Sequence, residues 1–278
     1  MPVSRIIRSF LALLLSAWLG AVPSVHAAPG NDKTDPTAPE NPGRILFILA
    51  SSKVHGRSTI PASISFGEVV NAWDTFQAAG YPVDFVSPDG GEVPILDTYV
   101  GKEMEPRLKD DRIMNGLRNT ATPAQVDPAR YRAVYYVGGS NAMYGVPEHP
   151  VLQKIAMHVY ERNGGVISAV CHGTAGIVHL TLASGQALVA GRRITGYPEE
   201  HEKQDAPYFK QLPFLMRKTV EARGGFFHAV DGQQPYVEVD GRVVTGQNYA
   251  SATQVAQAVV ELLAGRTAQP PRRDPKTA

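Results

Sequence analysis

The run Gly165-Val166-Ile167-Ser168-Ala169-Val170-Cys171-His172-Gly173-Thr174-Ala175-Gly176-Ile177-Val178-His179-Leu180 decides the fold. Its first six residues are small or apolar without alternation, the pattern of a strand buried on both faces. The stretch from Thr174 to Leu180 reads as a helix, and Cys171, the only cysteine of the chain, falls at the turn between the two. A thiol at that turn lies at a helix N-terminus, where unpaired N–H groups and the helix dipole favour a thiolate. Ala169, Gly173 and Gly176 let strand and helix approach closely, as a nucleophile elbow requires. The competing reading is a buried cysteine packing as a small hydrophobe. The adjacent His172 and Gly173 favour the nucleophile.

Working outward, strands alternate with helices. Arg44–Ala50 is a continuous apolar run suited to a central parallel strand. Gly67–Ala79 carries Val69, Trp73 and Phe76 on one face and ends at Gly80, a helix with its C-terminal glycine. Val83–Ser87 and Ala133–Val137 read as further strands, the second running into Gly138-Gly139, and Pro150–Asn163 reads as the helix leading to the Cys171 strand. This alternation predicts an α/β fold with a doubly wound parallel sheet, whose ligands bind at the carboxyl ends of the strands. Cys171 and Gly138-Gly139 both fall at such ends. Pro88–Pro128 is charged and irregular and reads as a small capping insertion. Ala187–Gly196 reads as a short hairpin. Tyr236–Thr245 reads as two strands about the Asp240-Gly241 turn, and Ser251 as the cap of a last helix to about Ala264.

The ends read differently. Arg5 and Arg8 precede an apolar run from Phe10 to Val22, and Ser24-Val25-His26-Ala27-Ala28 offers a small-residue cleavage site. Residues 1–27 therefore read as a secretory signal peptide and the mature protein as exported, periplasmic or secreted, with no membrane attachment after cleavage. Residues 28–43 read as a disordered linker, 44–265 as the domain and 266–278 as a disordered tail. Lysine and arginine number 27 against 26 acidic residues, so no basic field recommends a nucleic-acid partner. One cysteine excludes an internal disulfide framework. No His-Glu-x-x-His, Cys-x-x-Cys, phosphate loop or dinucleotide fingerprint is present, so neither a metal nor a nucleotide cofactor is expected. His55 and His228 are isolated and read as pocket or surface residues.

Four motifs together resemble the ThiJ/PfpI superfamily, the class I glutamine-amidotransferase-like proteins, and within it the chaperone-like glyoxalase III branch. They are Asp84-Phe85-Val86-Ser87-Pro88-Asp89-Gly90-Gly91, Gly138-Gly139, Ala169-Val170-Cys171-His172-Gly173 and Thr245-Gly246-Gln247-Asn248. The resemblance covers nearly everything from Arg44 to Leu263. It implies a flavodoxin-like fold, a homodimer, and a site with Cys171 as nucleophile, His172 beside it and Glu68 bonded to the thiol. It also implies a carboxylate in the stretch Thr195–Glu202, with Glu202 preferred by spacing and Glu200 second. Gly139, with its neighbours Gly138 and Ser140, and the N–H of His172 match the family's oxyanion site. Two departures stand out: relatives often have His after the double glycine where this chain has Ser140-Asn141, and Pro after Cys-His-Gly where it has Thr174.

A thiolate at such a site can add to an aldehyde and hold the adduct by oxyanion donors. The reading that follows is a cofactor-free lyase of the glyoxalase III type, converting methylglyoxal to lactate without glutathione, or a related deglycase. Hydrolysis of a small amide, peptide or isonitrile by the same thiol is the main enzymatic alternative. A holdase chaperone or thiol redox sensor is the non-enzymatic one. True glutaminase chemistry is disfavoured, because no histidine after Cys171 is followed by Glu two positions on.

Overall fold

The computed structural model describes residues 43–266 of the 278-residue chain. The expected signal peptide lies outside the described residues, as do the linker up to Asn41-Pro42 and the tail beyond Arg266. The framework begins with β1 (Arg44–Ile48), α1 (Phe66–Ala78) and β2 (Val83–Val86). An excursion carrying α2 (Asp111–Arg118) leads to β3 (Tyr131–Tyr136), α3 (Pro150–Glu161), β4 (Val166–Val170) and the short α4 (Ala175–Val178). Then come β5 (Arg193–Ile194), α5 (Met216–Ala222), β6 (Phe226–Phe227), β7 (Val237–Asp240), β8 (Val243–Gly246) and α6 (Ala252–Leu263).

Six strands form one sheet in the order β2-β1-β3-β4-β8-β7, parallel throughout except for the β7–β8 hairpin. β1 shows why the sheet is covered on both sides. Ile45, Phe47 and Leu49 pack into a core with α1 and α6, while Leu46, Ile48 and Ala50 pack into a second core with α3 and α4. Successive side chains of a strand point to opposite faces, so an uninterrupted apolar run needs both layers. The chain leaves β1 toward β2 on one side and comes back to β3 on the other, which opens a crevice at the carboxyl ends of β1 and β3. β4, carrying Cys171 at its end, is the next strand over.

Three expectations are corrected. Ala187–Gly196 is not a hairpin: Arg193–Ile194 pair in parallel with Phe226–Phe227, across the intervening α5. Residue alternation marks an extended segment but carries no information about its partner. Ser251 does occupy the position before α6, but its hydroxyl bonds Tyr236 and Asn248 instead of the helix's own N–H groups. The helix after Cys171 is shorter than read, a tight turn over Cys171–Thr174 followed by α4, and Leu180 already accepts from Leu188.

The Pro88–Pro128 excursion covers the β2 edge. Ile113, Met114 and Leu117 of α2 are buried, Ala121 bridges Val86, and Arg107 forms a two-bonded pair with Asp74 of α1. It reaches the site's margin through Pro94 and Leu96, which bond Ser63. A groove of about 650 Å³ beneath it, lined by Asp84, Arg130 and Tyr131 among others, shares no residue with the centre around Cys171.

Candidate active site

Cys171 is the only described non-glycine residue with a positive φ, 56°. The left-handed region costs a residue with a Cβ about 1–2 kcal/mol, so surrounding structure must impose it. It does so from three sides. A side chain at Gly173 would run into the Tyr136 backbone, one at Gly176 into the Tyr136 ring, and the Cys171 carbonyl accepts the Tyr197 N–H at 3.2 Å. The strand-to-helix turn is thereby pressed against β3, with the thiol at its tip.

The structure brings Cys171, His172, Glu202 and Glu68 together. His172 Nδ1 lies 3.5 Å from Cys171 Sγ, and His172 Nε2 lies 2.6 Å from Glu202 Oε1. Tyr208 donates to the other carboxylate oxygen, Oε2, at 2.9 Å. Burial works against the charge on Glu202, but the bonds from His172 and Tyr208 outweigh it and hold its pKa below the usual glutamate value. An ionised Glu202 fixes the proton on His172 Nε2 and leaves the Nδ1 lone pair aimed at sulfur. Tyr197 stacks on the imidazole, centroids 4.6 Å apart. Glu200 does not share the site: it pairs with Arg217 at 2.8 Å, its side chain more than half exposed.

Glu68, in the first turn of α1, is fully buried and accepts the Gly138 N–H at 2.8 Å. Burial pushes its pKa up to about 8, so it carries its proton at neutral pH. Burial also pushes the Cys171 thiol up. An ionised Glu68 would push it further, but the protonated acid lifts that repulsion and is bonded to the sulfur, which also receives the backbone N–H of His172. Of the two helix-end effects expected to favour the thiolate, the dipole is weak, because a turn followed by a four-residue helix has little to offer; the backbone N–H of His172 does favour it, against burial and Glu68.

The oxyanion expectation divides among its residues. The Gly138 N–H is spent on Glu68, and the Ser140 hydroxyl accepts from the Ser63 N–H at 3.1 Å. Gly139, at φ 110°, has no recorded acceptor for its N–H among the described residues. A side chain there would strike the backbone of Ser63, Ile64 and Ser65, so glycine is what lets this N–H approach the site. Sequence reading missed Tyr197, Tyr208, Tyr144 and the placement of His55. No group of three or more His, Cys, Asp and Glu side chains suited to a metal occurs among the described residues. His228 lies elsewhere, bonded to Glu238 at 2.8 Å beside Arg193 and Tyr236.

A flavodoxin-like sheet carrying a cysteine at a strained elbow, with an imidazole–carboxylate pair and a buried acid around it, defines a class of cysteine-centred α/β proteins. The chain belongs to the DJ-1/PfpI family, whose model matches residues 63–262. It is 30% identical over 227 residues to a probable glutathione-independent glyoxalase of Saccharomyces cerevisiae, covering 76% of this chain and 94% of that one. Glyoxalase 3 of Candida albicans is 29% identical over 206 residues, covering 69% and 86%. Among solved structures, glyoxalase III from Candida albicans superposes with a TM-score of 0.71 at 26% identity, covering 79% of this chain and 97% of that one. The Rapid Encystment Protein of Francisella tularensis superposes at 0.74 and 27%, covering 80% and 99%.

Proposed function

We propose that this protein is a glutathione-independent glyoxalase that uses Cys171 as its nucleophile and takes methylglyoxal to lactate. The observation that carries the reading is the continuous chain Cys171–His172–Glu202–Tyr208, with the buried Glu68 also bonded to the sulfur. Relatives named as glutathione-independent glyoxalases, matched over most of their length, support it.

His172 Nδ1 takes the thiol proton as sulfur adds to the aldehyde carbon, and the Gly139 N–H meets the developing oxyanion. The π electrons of the carbonyl pass to oxygen, which takes the proton from His172, so the adduct is a hemithioacetal and the imidazole is again free to act as a base. A base then removes the hydrogen on the first carbon and returns a proton to the second through an enediol. His172 suits this step, because Glu68 already holds a proton at neutral pH. The result is a thioester, and water releases lactate and the free thiol. One carbon is oxidised and its neighbour reduced, so no external oxidant and no second thiol is consumed.

The test is methylglyoxal loss and lactate formation by purified protein without glutathione or added metal, with Cys171→Ala alongside. Lactate from wild type only is expected; full turnover by Cys171→Ala would overturn the nucleophile. We also propose export, on the basic-then-apolar segment and the Ala27-Ala28 site. N-terminal sequencing of the native protein should begin at Ala28, whereas an intact Met1 in mature protein would contradict it.

A further inference from the structure

We propose that His55 is a substrate-binding residue: its imidazole receives the oxygen on the carbon next to the one Cys171 attacks, and so selects aldehydes oxygenated at that neighbour. The assignment rests on the thiol-addition chemistry above, though not on turnover.

His55 lies in the loop between β1 and α1, at the crevice end of the sheet. The residue is 2% exposed. Its ring packs edge-on to Tyr144, centroids 5.7 Å apart, and against the Tyr208 face at 5.2 Å. Tyr208 is the residue that donates to Glu202, so His55 continues the wall running His172–Glu202–Tyr208. His55 Nδ1 lies 3.3 Å from the Tyr144 hydroxyl, while Nε2 has no protein partner among the described residues. Nε2 is not among the sealed unpartnered polar atoms, so it opens on space that water or a ligand can fill. Burial and the neighbouring His172 lower its pKa, with Glu202 opposing, so the ring is neutral at neutral pH and offers Nε2 for a single hydrogen bond.

The loop that delivers this ring is built for rigidity. Val54 and Pro61 bridge antiparallel, the His55 N–H donates to the Ile60 carbonyl at 2.9 Å, and Ser58 Oγ donates to the His55 carbonyl at 2.7 Å. Ser140 and Asn141, which follow the double glycine Gly138-Gly139, are its anchors. Asn141 Nδ2 donates to the Ser52 carbonyl at 2.9 Å and its N–H to the Ser63 carbonyl at 3.3 Å, while Ser140 Oγ accepts from Ser63. The two residues after the double glycine thus hold the loop that carries His55 in place.

Glycolaldehyde and acetaldehyde test the proposal, because they differ only by the neighbouring oxygen and neither can be carried on to an acid by this chemistry. Protection of Cys171 from iodoacetamide, read by mass spectrometry, gives an apparent Kd for each hemithioacetal. The same pair measured on a free small thiol gives the intrinsic preference. Wild type should prefer glycolaldehyde at least tenfold beyond the free thiol, and His55→Phe should fall back to the free-thiol ratio. His55→Leu serves equally if the Phe variant does not fold by circular dichroism. A wild-type ratio equal to the free thiol's, or a ratio unchanged in the folded variant, overturns the proposal. Methylglyoxal turnover is scored separately. A lost ratio with no lactate from wild type would uphold His55 and reject the glyoxalase reading.

Discussion

At the scale of single residues, the triad carboxylate is set by one turn of backbone. Glu199–His201 form a tight helical turn that sends Glu200 outward to Arg217 and leaves Glu202 pointing in at His172. Two carboxylates two positions apart therefore have unrelated roles. Glu202→Gln keeps the shape but removes the charge that fixes the imidazole tautomer, and kcat should fall about 10²–10⁴-fold with KM little changed. Glu200→Gln removes a largely exposed ion pair and should cost under about 1 kcal/mol with near-normal turnover. Steady-state kinetics on the two variants decide the matter, and an inactive Glu200→Gln beside an active Glu202→Gln would reverse the assignment. Cys171 and His172 were legible in the sequence from the strand-to-helix turn itself, whereas Glu68 was legible only through the family resemblance, because nothing local ties a first-turn carboxylate of α1 to a thiol at the end of β4. Glu202 was legible only as one of a pair, since the turn that separates it from Glu200 has no sequence signature. His55, Tyr144 and Tyr208 were not legible, because they meet only after three loops far apart in the chain have folded together.

At the scale of elements, the elbow depends on how closely α4 lies on β3. Tyr136 is fully buried and blocks side chains at both neighbouring glycines, but by different atoms: its backbone faces Gly173 and its ring faces Gly176. Gly176→Ala should therefore destabilise by about 1–3 kcal/mol, the ordinary cost of overpacking. Adding Tyr136→Leu should recover part of it. Gly173→Ala should be at least as damaging and should gain nothing from Tyr136→Leu, because the obstacle is main chain. Denaturant unfolding of the three single and two double variants gives the coupling directly, and equal rescue of both alanines would show that the ring is not what limits the approach. The strands and the Cys171 elbow were readable from composition, since an unbroken apolar run requires a helix layer on each face. The β5–β6 pairing was not, because it joins segments more than thirty residues apart and each strand is too short to show a period.

At the scale of the whole molecule, one buried acid ties stability to pH. Glu68 is fully buried with its pKa raised to about 8 from an ordinary 4.5, chiefly by desolvation. The folded state thus holds a proton that the unfolded chain releases above pH 4.5. The contribution is fully present below the unfolded pKa and is lost as pH rises through about 8, on the order of a few kcal/mol in all at about 1.4 kcal/mol per pH unit. Asp84 and Glu202 act in the opposite sense, their pKa values lowered mainly by hydrogen bonds that overcome burial, so the stability they add disappears only on acidification. The lowered His55 and His179 also weaken the fold at acid pH, because burial favours their neutral rings. A wild-type melting curve alone mixes these terms, but the difference between wild type and Glu68→Gln isolates one of them. The amide can still accept the Gly138 N–H and donate toward sulfur, yet it does not titrate. Measured at pH 5 to 8.5, the Tm of Glu68→Gln relative to wild type should rise steadily with pH and level off near pH 8. A constant difference across that range would mean that Glu68 is already ionised in the folded protein. The sulfur would then face a carboxylate instead of a carboxylic acid, and the proton bookkeeping at Cys171 would have to be redrawn around His172 alone.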